Sequence, residues 1–338
     1  MNKRIVFENE INLTLTSIEG VPIGAMRETY VEELLKIANE GEDIVFMLSD
    51  NGTATAISKL REAHPERVIE VGIAEPNEVG MAAGLGLSGK MVFAQFFGTF
   101  LALRCLDQVH TDIAYNDVPV RLIDTHSGLT SAGGATHYNL MDLAVMRNLP
   151  NMTVVSPSDP GQCAKVIRAS MKHPGPMFIR IGRAGEPVVY TTEDYPFEIG
   201  KAIEVCQGEE LTIIATGIGV PFAISAANGL AKEGLHIRVL DMHTIRPLDK
   251  EAILRATKET EGIITVEDHF VVGGLGSAVA EVLADEGVSI PFQRLGVPDH
   301  DFPPTAEPNE LYQHFGFDPE GIKRAVKEML NNRKRCGK

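Results

Sequence analysis

The feature that most limits what this chain can become is an alternation of short apolar runs with amphipathic segments, sustained along most of its length. Residues 26–40, MRETYVEELLKIANE, set Val31, Leu34, Leu35 and Ala38 on one helix face. DIVFMLSD follows, apolar enough for a strand buried on both sides, and ends in Ser49 and Asp50. The order continues with strand VIEVGI, a helix from Pro76, strand MVFAQFF, a helix from about Thr99 to Tyr115, strand VPVRLID, helix LMDLAVMRN, strand MTVVSP, helix DPGQCAKVIRASMK and strand MFIRI. A second series begins near residue 203: IEVCQGEELTIIATG, helix AISAANGLAKEG, strand HIRVLDM, helix KEAILRATKET, strand GIITVED, a glycine run opening a helix, then SIPFQRLGV. Strands separated by helices predict parallel sheets covered on both faces. The expected fold class is therefore α/β, as two successive parallel-sheet domains. Between the series, AGEPVVYTTEDYPFEIG loses helical periodicity and gathers Pro, Gly, Thr and charge. We expect a first domain over 20–185, a linker over 186–200 and a second domain over 201–332, with no sequence repeat between them.

A net charge of −15 argues against a nucleic-acid backbone as partner, since that affinity comes from lysine and arginine clusters. Cys105, Cys163, Cys206 and Cys336 have no CxxC or CxH neighbours, which indicates neither a zinc site nor a disulfide framework. Scattered thiols suit a reducing cytosol, so a cytoplasmic location is expected. MNKRIVFENEINLTL is a poor signal peptide, and no run approaches the roughly 18 apolar residues of a membrane helix. NNRKRCGK reads as a solvated, frayed end.

In open parallel sheets, ligands gather at the carboxyl ends of the strands. The polar residues leaving those ends are Asp50, Glu75, His126 with Ser127, and Arg180 with Arg183. His137 lies in the glycine-rich loop SGLTSAGGATHYN, which leaves one of the same strands. Each has a structural reading. Asp50 in SDNG suits a turn. Glu75, just before Pro76, suits a helix entrance. The histidines can be satisfied core groups, and the arginines surface charges. Together they put a glutamate, two histidines and two arginines on one expected rim. Glu75 also stands between an apolar segment and a small-residue helix, where burial favours the protonated carboxyl. A dinucleotide site in the second domain is disfavoured: TIIATGIGVPF carries Phe222 at the third glycine position and Pro221 in the first helical turn, although Asp241 imitates the ribose-binding acid. No GxxxxGK[ST] loop occurs.

The series VGIAEPNEVGMAAGL, GTFLALRCLDQVHTDIAY, THSGLTSAGGATHYNLMDLAVMRNLPNMTVVSPSD and GPMFIRIGRAG resembles the carboxyl-terminal half of transketolases and of the related deoxyxylulose-phosphate synthases. MHTIRPLD and TVEDHFVVGGLGSAVAE resemble the last domain of the same family, so the likeness runs from about residue 20 to 330. It implies a thiamine-diphosphate pyrimidine-binding domain followed by a transketolase C-terminal domain. In that family a glutamate holds N1′ of the cofactor's aminopyrimidine and so promotes proton loss from the thiazolium; Glu75 matches it. The resemblance puts Phe97, Phe100 and Leu103 in the pyrimidine pocket and Asp50 beside the cofactor. Leu103 and Leu106 stand where many transketolases have further aromatics. His126 and His137 match histidines aimed at the reacting carbons. Arg183, with Arg180, matches the sugar-phosphate end of the site. Gly133 replaces a family aspartate that reads a substrate hydroxyl, and Tyr138 replaces a glutamine, so the choice of sugar is open.

Full-length members bind the diphosphate and Mg2+ through a GDG…N pattern on an N-terminal domain, and this sequence has no GDG. A diphosphate needs donors or a metal to be held. The resemblance therefore implies a split enzyme, active only with an N-terminal partner subunit carrying that pattern, and self-associating as α2β2. The expected reaction is transfer of a two-carbon ketol unit between sugar phosphates. Alternatives are the beta subunit of a 2-oxo acid dehydrogenase decarboxylating component, a deoxyxylulose-phosphate-synthase-like carboligase, and a non-catalytic regulatory subunit. In the second domain, His243, Glu267, Asp268 and His269 read as structural hydrogen bonders serving packing and dimerisation.

Overall fold

The computed structural model describes residues 23–52, 57–130, 133–183, 185–192, 194–300 and 302–336, together with two short strands, Leu13–Thr14 and Ser17–Ile18. The expectation about the first residues falls largely outside this range. The apolar runs of the first half form six strands of a seven-stranded sheet, whose edge strand Thr244–Arg246 comes from the second half. Its order is Thr244–Arg246, Thr153–Val155, Met177–Arg180, Val120–Thr125, Met91–Phe97, Ile44–Leu48 and Val68–Glu70. All neighbours are parallel except the first pair. The second half forms a five-stranded sheet in the order Ile203–Cys206, Ile237–Asp241, Leu211–Ala215, Ile263–Phe270 and Phe292–Val297. Again only the first pair is antiparallel. The parallel-sheet expectation holds, with one antiparallel edge in each sheet. An edge strand has a single partner and need not be fed by a helical crossover.

Alternate residues of each central strand serve opposite layers, which is why these runs are apolar throughout. On one face, Tyr30, Leu34 and Ile37 of the helix Met26–Asn39 meet Val166 and Ile167 of Pro160–Ser170 over Phe46, Phe93, Ile123 and Ile179. On the other, Val79, Ala82 and Ala83 of the helix Glu75–Leu87 cover Met47, Ala94 and Leu122 together with Leu101, Val109 and Ile113. The small residues of Glu75–Leu87 allow a close approach: a Cβ on Gly86 would stand 2.5 Å from Val118 Cγ1. The same core continues into Leu240, Ile245, Ile253 and Val279 of the second half.

The helix expected from Thr99 to Tyr115 is present but not regular. π-helical turns, Phe100–Arg104 and Val109–Ala114, flank a short α-helical piece, Leu106–Gln108. A π-turn changes the angle at which successive side chains leave the axis, and such turns recur at functional sites. LMDLAVMRN contracts to Asp142–Met146. Two helices, Pro308–Phe315 and Pro319–Cys336, follow the last strand and have no counterpart in the sequence reading. The second carries helix through Asn331–Cys336, which corrects the frayed-end expectation for that stretch. Leu311, Tyr312, Ile322 and Val326 bury an amphipathic face against the second sheet, which keeps the pair folded.

The stretch read as a linker is pinned along its course. Glu186–Pro187 pairs with Ile23–Gly24, the amides of Val189 and Tyr190 donate to Asp159 Oδ2 at 2.8 and 2.9 Å, and Tyr190 stacks on Tyr195 with centroids 4.0 Å apart. Replacing Gly86 by Leu should lower unfolding stability by about 1–3 kcal/mol, because Val118 sits in a filled core and cannot retreat. A denaturant midpoint unchanged by Gly86→Leu would refute the close approach.

Candidate active site

Parallel register sets the strand ends side by side. Leu48 pairs with Glu70 and Gln95, Phe97 with Thr125, and Asp124 with Arg180. Asp50, Glu75, Phe100, His126 and Arg183 therefore leave the sheet along one rim.

Glu75 opens the helix Glu75–Leu87, with Pro76 in its first turn, and is 6% exposed. Arg104 Nη1 donates to both of its carboxylate oxygens at 3.0 Å. The same guanidinium lies 4.3 Å above the Phe100 ring and stays half exposed. Phe100 meets Phe97 edge-on at 6.1 Å and His137 at 5.4 Å, and Phe97 lies 4.5 Å from the His126 ring. These contacts form an unbroken path from Glu75 to both histidines.

One expectation changes. In place of a buried carboxyl without cover, Glu75 has a counter-charge in Arg104. The uncompensated acid is Glu78, one turn further along the same helix. It is fully buried, accepts from Ser49 Oγ through Oε2, and among the described residues has no hydrogen-bond partner on Oε1. Burial, reinforced by the charges of Glu70 and Glu75 and only partly opposed by Ser49, pushes its carboxyl up to about 8. Glu78 holds a proton at neutral pH.

His126 has a left-handed backbone, φ 62°, and its Nδ1 pairs with Thr125 Oγ1 at 3.1 Å. Burial lowers its imidazole to about 4, helped by the positive charges of Arg183 and Arg27 and by His137. It is neutral at pH 7 and can offer one donor and one acceptor. His137 is half-buried, with Nδ1 paired to Thr136 Oγ1 at 2.9 Å. A Cβ on Gly133 would stand 2.6 Å from His137 Cγ, so the glycine is what lets this ring lie where it does. Ser131 and Ala132 of the same loop lie outside the described residues.

Asp50 is exposed in a left-handed turn, φ 54°, with its amide donating to Glu70 Oε1 at 2.6 Å. Leu103 is 48% exposed and Arg183 is exposed. Arg180 is not at the rim. It is buried, ion-paired with Asp142, and bound through Nη2 to the carbonyls of Asn139 at 3.2 Å and Asp268 at 2.7 Å. The assignment of Arg180 to a sugar phosphate is corrected accordingly: the last residue of a central strand points its side chain into the layer between the sheets. Asp241 is likewise internal, accepting from Tyr190 Oη, Gln162 Nε2 and Ser158 Oγ at 2.6–2.9 Å. Among the described residues, no group of three or more His, Cys, Asp or Glu side chains could hold a metal ion, and no helix is long and apolar enough to cross a membrane.

Sequence reasoning passed over Arg104 and Glu78. Both left a trace: Arg104 stands four residues after Phe100 in an otherwise apolar run, and Glu78 is an acid three residues after Glu75.

Residues 24–186 match the family model of the transketolase pyrimidine binding domain, and residues 200–322 that of the transketolase C-terminal domain. One of the apulose-4-phosphate transketolase subunits of Phocaeicola vulgatus is 38% identical over 90% of this chain and 97% of its own length. This chain belongs to the transketolase family. A putative transketolase C-terminal section from Methanocaldococcus jannaschii is also 38% identical, over 93% of this chain and 99% of its own length. A 1-deoxy-D-xylulose-5-phosphate synthase from Geobacter sulfurreducens is 34% identical over 88% of the chain, which spans 47% of that enzyme. Among solved structures, a split gene transketolase described as an inactive beta4 tetramer superposes with a TM-score of 0.84 at 37% identity, over 91% of this chain and 98% of the other. The family is thiamine-diphosphate-dependent.

Glu78 gives a pH signature. Its folded carboxyl titrates near 8 and its unfolded one near 4.5, so the folded state holds a proton that the unfolded state has released between those values. Stability contributed by this group is present below pH 4.5 and is lost as pH rises toward 8. Glu78→Gln keeps the shape and removes the titration. Its stability relative to the parent should climb across pH 5–8.5, by on the order of 4 kcal/mol at the top. Parallel unfolding curves for the two proteins at every pH would show that Glu78 is ionised at neutral pH after all.

Proposed function

We propose that this chain is the C-terminal subunit of a split, thiamine-diphosphate-dependent transketolase, which moves a two-carbon ketol unit from a ketose phosphate to an aldose phosphate. The observation that carries the reading is the path Glu75, Arg104, Phe100, His137, Phe97 and His126 along one rim of the sheet. The residues present fit an aminopyrimidine: a buried carboxylate has its oxygens covered only by a half-exposed guanidinium, beside two phenylalanine rings. When bound, thiamine diphosphate supplies the nucleophilic carbon that adds to the ketose carbonyl.

The chain's own groups then divide the work. Glu75 would hold the pyrimidine nitrogen, with Arg104 giving up its place on the carboxylate. Phe100 and Phe97 exclude water from that contact, and Leu103 offers aliphatic surface beside them. A desolvated setting strengthens every charge interaction in it. His126, neutral at pH 7, and His137 hold or release a proton at the substrate's carbonyl oxygen, the task of a general acid–base pair. Arg183, exposed beside His126, is assigned to the substrate phosphate, which its forked donors suit. Asp50 is assigned to the cofactor side of the rim.

The diphosphate and Mg2+ are assigned to an N-terminal partner subunit carrying a GDG…N pattern, in an α2β2 assembly whose closed symmetry is the common one for oligomers. We assign the reaction to pentose-phosphate carbohydrate metabolism in the cytoplasm. Similarity to a 1-deoxy-D-xylulose-5-phosphate synthase favours a second reading, a deoxyxylulose-phosphate-synthase-like carboligation with pyruvate as donor. Turnover of pyruvate, with none of a ketose phosphate, would select it.

With the partner, thiamine diphosphate and Mg2+ present, Glu75→Gln should lower ketol-transfer kcat by roughly 10²–10⁴-fold. Turnover near that of the parent protein would end this reading.

A further inference from the structure

We propose that Asp268, near the end of the strand Ile263–Phe270 in the second domain, is a positioning residue for the histidine loop of the first. The inference rests on the reading above, in which His126 acts on substrate. Asp268 is 2% exposed, and both of its carboxylate oxygens accept from the amide of Leu129 at 3.1 Å. The contact requires glycine next door: Gly128 has φ +66°, and a Cβ there would stand 1.9 Å from Asp268 Oδ2. Tyr312 Oη lies 3.5 Å from the same oxygen, and Arg180 Nη2 holds the Asp268 carbonyl at 2.7 Å. The aspartate is thus fixed by other contacts before it meets the loop.

Among the described residues, several points anchor the loop it meets. Gly128 and Asn139 exchange amide–carbonyl hydrogen bonds of 3.0 and 3.2 Å, closing the 128–139 segment, which contains His137 and starts two residues after His126. Ser127 donates to Ile181 O through its amide and its hydroxyl. Towards the tip, Tyr138 Oη donates to Pro304 O at 3.2 Å and accepts from the amide of Ala306 at 3.4 Å. Two of these anchors, Asp268 and the 304–306 segment, belong to the second domain. They bear on chemistry because His126 is a non-glycine residue in the left-handed region, a conformation that persists only where its surroundings impose it. Leu129, three residues on, is the next point at which the second domain fixes that backbone. Releasing it lets His126 relax and moves the imidazole off the rim. Glu75 and Phe100 sit on other elements and stay in place.

The test uses the complex with the partner subunit and compares Asp268→Ala with Asp268→Asn, which keeps one acceptor for Leu129. Hydrogen exchange of the peptide covering 126–140 should quicken by at least about tenfold in Asp268→Ala, and less in Asp268→Asn. With xylulose 5-phosphate as donor, kcat should fall at least about tenfold in Asp268→Ala, and less in Asp268→Asn, while thiamine diphosphate Kd stays within about twofold. In a His126→Ala background the same change should alter kcat by less than about twofold, because the two residues act as one unit. An equal loss in both backgrounds, or unchanged exchange in folded variants, overturns the proposal. If the parent complex transfers no ketol unit, the functional reading fails, and hydrogen exchange alone then decides whether Asp268 orders the loop.

Discussion

A single buried guanidinium ties the two sheets together. Arg180 ends a central strand of the first sheet and reaches Asp142, the Asn139 carbonyl and the Asp268 carbonyl, so it joins the histidine loop, a short helix and the second domain at one point. Burial disfavours its charge, but Asp142, Asp268 and Asp124 more than offset that and hold it protonated. Burial, with Asp142 close by, pushes the Asp124 carboxyl well above the usual range. Such a cluster is weak evidence for stability, since burying charges is costly. It does demand one geometry, because losing any partner leaves a charge stranded in low dielectric. The orientation of the loop between Asp124 and Asn139 follows from that demand.

The rim shows the same logic at smaller scale. Two carboxyls sit one helical turn apart, and only one has a cation. Arg104 pairs with Glu75, while burial pushes the carboxyl of Glu78 behind it up to about 8. A neutral second acid spares Glu75 a like charge at close range. His126 and His137 are likewise held by aromatic neighbours, Phe97 and Phe100, rather than by carboxylates. A carboxylate partner would favour imidazolium; at His126, burial against an aromatic ring favours the neutral form.

Much of the fold was legible because helix and strand periods are local. The runs DIVFMLSD, MVFAQFF and VPVRLID all became central strands. The antiparallel edges were not legible, because a strand's direction depends on its neighbour: Thr244–Arg246 lies against Val154 and Val155, far earlier in the chain. Of the residues expected at the rim, Glu75, His126, His137, Phe97 and Phe100 come together, since each leaves an aligned strand end. Arg180 does not. It is the last residue of its strand rather than the first of the loop, and that one-residue difference turns its side chain from the rim into the interior.

The amino-acid sequence by itself determined the order of elements, the family and the strand ends from which the candidate residues emerge. These depend on spacing within a few turns and on motifs that are contiguous in the chain. Tertiary structure alone decided which acid would carry a counter-ion, which arginine would be internal and which domain would hold the histidine loop. Arg104 and Glu75 are 29 positions apart, and Leu129 and Asp268 are 139 apart. Contacts of that separation exist only once the sheets have packed, and the burial that shifts a carboxyl or fixes a left-handed histidine arises in the same step.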